Sequence, residues 1–256
     1  MITNRYECIL SIIMQAGDRL LAARDHHVSI STKNNDPRDL VTNVDIEIND
    51  FIKSEISTYF PGDKIYSEET GGDITAGSFW TIDPIDGTSN FSKRIPHFAV
   101  VISFVENGDI ACGAIFNPVT KELFSFNKEG AYLNGEPIKV TTVTNLSEAG
   151  VMLSIGRKEV TREWGINLHR HFLGNAHKII NLSSSALDLA FLASGRVDVV
   201  IYGTMTTADI AAAIALVRRA GGEVYDISGT PVKLSTEPQQ IIATSTRALF
   251  DAIPTY

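Results

Sequence analysis

The sequence predicts an α/β protein in two halves, an α+β half over 1–144 and an α/β half over 145–256. Three patterns lead there. Two amphipathic helical stretches open the chain, short apolar runs separated by turns follow, and after about Thr144 strands alternate with helices.

Ile9, Ile12, Ile13, Ala16, Leu20 and Leu21 recur at helical spacing, so 4–25 reads as an amphipathic helix. Ser29 to Arg38 is polar and turn-rich, with Asn34-Asn35-Asp36-Pro37 as its loop signal. Thr42 to Tyr59 is a second helix, with Ile46, Phe51, Ile52 and Ile56 on its apolar side, and Pro61-Gly62 ends it. Strands are expected at 64–68, 79–83, 99–106, 110–117 and 122–127, with Asn107-Gly108 as a hairpin turn and a short turn-bounded piece at 132–138. In the second half, strands at 151–155, 178–182, 197–202, 223–225 and 240–243 alternate with helices near 162–173, up to Ser194, over 207–220 and at the end.

Apolar residues make up 44% of the chain, which suffices for a core without disulfides. The formal charge of -8 disfavours nucleic acid and anionic membrane as partners, because neither offers counter-charge. Cys8 and Cys112 stand apart in apolar surroundings and read as buried free thiols of a cytoplasmic protein. The start lacks a signal-peptide pattern, no apolar run has membrane-spanning length, and the histidines show no metal-ligand spacing.

The chemistry concentrates in Trp80-Thr81-Ile82-Asp83-Pro84-Ile85-Asp86-Gly87-Thr88-Ser89-Asn90-Phe91. An apolar strand delivers Asp83, Pro84 interrupts pairing, and Gly87 lets backbone approach a ligand before Thr88 and Ser89 open a helix. Gathered oxygen donors suit magnesium, and free N–H groups at a helix start suit phosphate. Taken alone, the same residues are equally an Asp-Pro turn followed by an Asp-Gly turn. Three more segments tilt the balance. Glu68-Glu69 ends a predicted strand, Asp39-Leu40-Val41-Thr42-Asn43-Val44-Asp45 opens a helix, and Asp209 lies in the apolar run Ala208-Asp209-Ile210-Ala211-Ala212-Ala213. A buried carboxylate needs a cation, a donor or a helix N-terminus, so Asp209 is either a ligand or a first-turn acid.

In order along the chain, these segments resemble the inositol monophosphatase family, as do Gly113-Ala-Ile-Phe-Asn-Pro118 and Gly130-Ala-Tyr-Leu-Asn-Gly135. The resemblance implies a layered αβαβα sandwich of the sugar-phosphatase type and a lithium-sensitive phosphomonoesterase holding two or three Mg2+ ions. It implies metal ligation by Glu68, Asp83, Asp86 and Asp209 with the Ile85 carbonyl, and a catalytic role for Thr88, Asp45 and Glu69 around the attacking water. Asp86, Gly87, Thr88 and Ser89, with Ser184, Ser185 and Tyr202, form the implied phosphate and substrate side. The implied partner is a small phosphorylated polyol or sugar, and the implied assembly a homodimer. Fructose 1,6-bisphosphate and 3′-phosphoadenosine 5′-phosphate are the alternative substrates, and a metal-binding regulator without turnover is the alternative class.

The departures gather on the substrate side. Tyr202 stands where inositol-selective members carry a Glu; it is either a substrate contact or a strand aromatic packed on its neighbours. Ser183 replaces a Gly, Ala208 a Trp, and Lys33 is one place removed from the family's loop lysine. Asp86→Asn is expected to reduce turnover severely with little loss of fold.

Overall fold

The computed structural model describes residues 4–24, 29–32, 40–75, 77–155, 159–207 and 209–254. Lys33, Asp39, the His26-His27 pair, the loop signal at 34–37 and Ala208 lie outside them.

The first half begins with α1 (Arg5–Arg24), a small antiparallel pair β1 (Ile30–Thr32) and β2 (Leu40–Thr42), and α2 (Asn43–Tyr59). The β1–β2 pair was not expected from the polar, turn-rich stretch Ser29 to Arg38. Thr42 caps α2: its hydroxyl accepts from the backbone of Val44 and Asp45, and the Asp45 carboxylate accepts back from the Thr42 N–H. The buried side of α2 is Val44, Ile48, Ile52 and Ile56, whereas Ile46 is exposed. Ile52 and Ile56 therefore lie on the expected apolar side, while Ile46 falls off it and Val44 and Ile48 complete the four-residue ridge.

A seven-stranded sheet follows, in chain and spatial order β3 (Lys64–Ser67), β4 (Ser78–Asp86), β5 (Ala99–Glu106), β6 (Asp109–Asn117), β7 (Glu122–Asn127), β8 (Gly130–Leu133) and β9 (Glu136–Pro137). Only β3 and β4 pair in parallel. The β5–β6 turn has both Asn107 and Gly108 at positive φ, as the tight hairpin requires. A five-residue helix, α3 (Thr88–Ser92), interrupts the passage from β4 to β5.

The second sheet has the order β11-β10-β12-β14-β13, with β10 (Gly150–Ser154), β11 (Lys178–Ile180), β12 (Val199–Thr206), β13 (Glu223–Tyr225) and β14 (Pro238–Thr244). Its helices are α4 (Glu159–Asn175), α5 (Ser185–Ala193), α6 (Ala211–Arg219) and α7 (Arg247–Asp251).

Side-chain alternation explains the layers. On β5, Val100, Ile102 and Phe104 face α1 and α2, while Ala99 and Val101 face α5 and α6. On β12, Val200 and Tyr202 face the same central helices, while Val199 and Ile201 join Trp164, Leu168 and Phe172 of α4 on the outer side. With both faces covered, the strands read as nearly unbroken apolar runs. The alanines Ala211, Ala212, Ala213 and Ala215 of α6 are all buried, and their small size lets two sheets sandwich one helix layer. The order is α1/α2, seven-stranded sheet, α5/α6, five-stranded sheet, α4/α7, which is the layered αβαβα arrangement expected. Cys8 and Cys112 are both buried and free, and burial pushes each thiol up to about 11. Among the described residues, no helix is long and apolar enough to cross a membrane.

Candidate active site

Strand β4 pairs with β5 regularly as far as Asp83, then slips before pairing resumes at Asp86. Pro84, which has no N–H to give the ladder, sits in that slip. The Ile85 N–H turns inward to the Asp83 carboxylate at 3.0 Å. Gly87 then adopts φ +88°, and a side chain there would lie 3.1 Å from the His97 carbonyl. Both facts reserve the position for glycine.

Four chain segments deliver their side chains to one cavity of about 140 Å³, lined by Glu68, Asp83, Ile85, Asp86, Gly87, Thr88, Ser185, Met205 and Asp209. Larger cavities lie against α4, without a carboxylate, and beside Tyr6, Phe104 and Cys112, where Glu106, Asp109 and Glu129 share the lining with Arg5, Lys128 and Arg219. Glu68 follows β3 in a turn that Ser67 secures: the Ser67 hydroxyl donates to Asn49 of α2 at 2.5 Å and accepts from the Glu69 N–H at 3.3 Å. Asp209 belongs to the turn between β12 and α6, ahead of the helix rather than in its first turn. Tyr66 donates to it at 3.2 Å.

Thr88 Oγ stands 3.0 Å from the Ile85 carbonyl and 3.2 Å from Asp45 Oδ1. With one proton, it serves one of these acceptors at a time. Asp45 is buried, and its carboxyl rises to about 6, chiefly through desolvation, against the hydrogen bonds from Thr42 and with the help of the Glu69 and Glu68 charges. Glu69 is thus close enough to act on Asp45, but it does not line the cavity; nor does Ser89.

Asp83 is pushed well above the carboxylate range by burial first, then by the charges of Glu68 and Asp86, a hydrogen bond with Glu68 and the charge of Asp209. Asp86 is raised by burial against opposing hydrogen bonds. Acids crowded in this way hold protons that a hard divalent cation would displace, and carboxylate and carbonyl oxygens are the donors magnesium prefers. The donor chemistry fits that ion. The geometry is not closed around one: among the described residues, no three acidic, His or Cys side chains are arranged to hold a metal.

The reason is visible at Asp86. Its Oδ1 accepts from the Ser185 N–H at 3.1 Å and the Ser185 hydroxyl at 2.6 Å, and its Oδ2 accepts from the Ala186 N–H at 3.0 Å and the Ser184 hydroxyl. Asp86 is therefore turned toward the start of α5. The expected substrate-side hydroxyls of Ser184 and Ser185 point to a protein carboxylate, and only Ser185 lines the cavity.

Tyr202 is buried and does not line the cavity. Its hydroxyl donates to Asp188, which His97 meets from the other side, so the packed-aromatic alternative describes its position. Asp188 and His97 escaped sequence reasoning. The signal was available for Asp188, which lies in the apolar run Leu187-Asp188-Leu189-Ala190, just as Asp209 lies among alanines.

The inositol monophosphatase family model matches residues 2–255. The chain is 33% identical to human inositol monophosphatase 2 over 253 residues, covering 95% of this chain and 87% of that protein. It is 34% identical to a fructose-1,6-bisphosphatase/inositol-1-monophosphatase of Thermotoga maritima, over 75% of this chain and 73% of the relative. The structure of the extragenic suppressor protein suhB from Bartonella henselae superposes with a TM-score of 0.88 at 27% identity, covering 96% of this chain and 95% of that one. Motif order, layered fold and these likenesses agree: the chain belongs to the inositol monophosphatase family.

Proposed function

We propose that this protein is a magnesium-dependent phosphomonoesterase acting on an inositol phosphate or a related polyol or sugar phosphate. The observation that carries the reading is the convergence of Glu68, Asp83, Asp86 and Asp209, with the Ile85 carbonyl and Thr88, on one small cavity at the end of β4. These four carboxylates and that carbonyl would hold two or three ions. When bound, magnesium supplies a lowered water pKa and positive charge beside the phosphate.

The chain's own residues supply the rest. Asp45 accepts the Thr88 proton, which leaves the Thr88 oxygen free to accept from the attacking water. Glu69 keeps Asp45 basic by its charge. The backbone N–H groups of Gly87 and Thr88 hold the phosphate, and Ser185 borders the substrate. On this reading 1–144 and 145–256 are two subdomains with the site at their junction. Lithium inhibition, a homodimer and a cytoplasmic location belong to it as well.

The Thermotoga relative's name favours fructose 1,6-bisphosphate as a second substrate, and a metal-binding regulator without turnover is the alternative class. A phosphate-release panel over inositol, sugar and nucleotide phosphates, with and without magnesium, separates these. Magnesium-dependent release from a polyol or sugar monophosphate is expected; release from none of them favours the regulator.

A further inference from the structure

We propose that the hydroxyls of Ser184 and Ser185 compete with the cation for Asp86 and thereby weaken metal binding at the site. The proposal rests on the magnesium reading above and concerns what sets the affinity.

The argument is one of lone pairs. An ionised carboxylate offers about four acceptor positions, two on each oxygen. Asp86 uses four: two hydroxyls and two backbone N–H groups, one of each kind on each oxygen. Ligation of a cation by either oxygen requires one donor to leave. The backbone donors are fixed by the start of α5, where Ser184 is the N-cap residue. The hydroxyls turn freely about χ1, so they are the groups that yield. Asp86 and both serines are buried, so a displaced hydroxyl is not compensated by bulk water.

Hydrogen bonds from donors around a ligating carboxylate often strengthen a metal site by orienting the ligand. Here orientation survives without the hydroxyls, because each Asp86 oxygen keeps one backbone N–H. Removing the hydroxyls leaves one open position per oxygen and a more basic carboxylate.

The test is calorimetric titration of magnesium chloride into the full chain without substrate, for the wild type, S184A, S185A and the double variant. The expected result is about tenfold tighter magnesium binding by the double variant, for loss of hydrogen bonds to a charged acceptor. Each single variant is expected to give about threefold, and these serve if the double variant does not fold by circular dichroism. Ser184→Thr, which keeps a hydroxyl, should titrate as the wild type. Unchanged or weaker binding in the alanine variants, with wild-type binding intact, overturns the proposal and leaves the phosphatase reading standing. Binding by neither wild type nor variants overturns both.

Discussion

The Tyr202 hydroxyl donates to Asp188 Oδ2 at 2.6 Å, while His97 Nε2 meets Asp188 Oδ1 at 2.8 Å. Both partners come from outside α5, so a buried carboxylate on the central helix layer is satisfied from each side. Tyr202→Phe removes one of those bonds and leaves Asp188 short of a partner. The expected cost is about 1.5–3 kcal/mol, read as a lower denaturation midpoint, with KM for sugar and inositol phosphates changed less than about twofold. A large rise in KM at unchanged stability would place Tyr202 against the substrate instead.

Asp86→Asn is expected to reduce magnesium-dependent phosphate release severely, but the hydrogen bonds on Asp86 revise the expectation of an intact fold: the variant should also be destabilised. Each carboxylate oxygen accepts from one backbone N–H, so the amide NH2 of an asparagine must face the Ser185 or the Ala186 N–H, even if the hydroxyl on that side turns to accept from it. A penalty of about 1–3 kcal/mol follows from one buried donor without an acceptor. Denaturant unfolding of the variant without magnesium measures it; an unchanged midpoint contradicts the hydrogen-bond pattern.

Stability should fall as pH rises in magnesium-free buffer. Asp45 moves from an ordinary 3.8 to about 6 on folding, so between those values the folded chain binds more protons than the unfolded one. Its favourable share is complete below about 3.8 and is lost as pH passes about 6. The raised Asp83 and Asp86 act in the same direction. Thermal unfolding across pH 4 to 8 should show this slope, Asp45→Asn should flatten it, and magnesium should restore the lost stability by mass action.

Thr88→Ala should lower kcat by about 10²–10⁴-fold with the fold retained, as expected for removal of a proton-transfer group. Thr88 Oγ lies within reach of Asp45 and the Ile85 carbonyl, and Asp45 keeps its bonds from Thr42 when the hydroxyl goes. Steady-state kinetics at saturating magnesium, beside circular dichroism, checks both halves of the statement.

Ser183→Gly should stabilise the chain. Ser183 stands at φ +60°, where a side chain costs about 1–2 kcal/mol that glycine avoids. The loss of its exposed bond to Asn181 at 2.8 Å offsets part of this, leaving a gain of about 1 kcal/mol in denaturant unfolding. No gain would mean that the Asn181 contact cancels the strain.

The site's acids were legible because they sit in short motifs: Asp83, Asp86 and Thr88 share one segment, Glu68 ends a predicted strand, and Asp209 interrupts an apolar run. The α6 boundary was not. Apart from Asp209, Ala208 to Ala213 is apolar, and periodicity alone does not separate the end of a buried strand from the start of a buried helix. The helix begins at Ala211, so Asp209 falls in a turn free of the helical ladder. The pairing of Tyr202 and His97 with Asp188 was not legible for a different reason. His97 and Asp188 are 91 positions apart, and no local pattern announces a pairing made only when α5 docks beside β12 and the segment before β5.

Asn90 reaches the carbonyls of His97 and Leu182, each at 2.7 Å, from the short helix that follows the anion loop. One amide therefore buttons together stretches of backbone that the chain itself keeps 92 positions apart. A swinging hinge between the sheets would have to undo that fastening on every turnover.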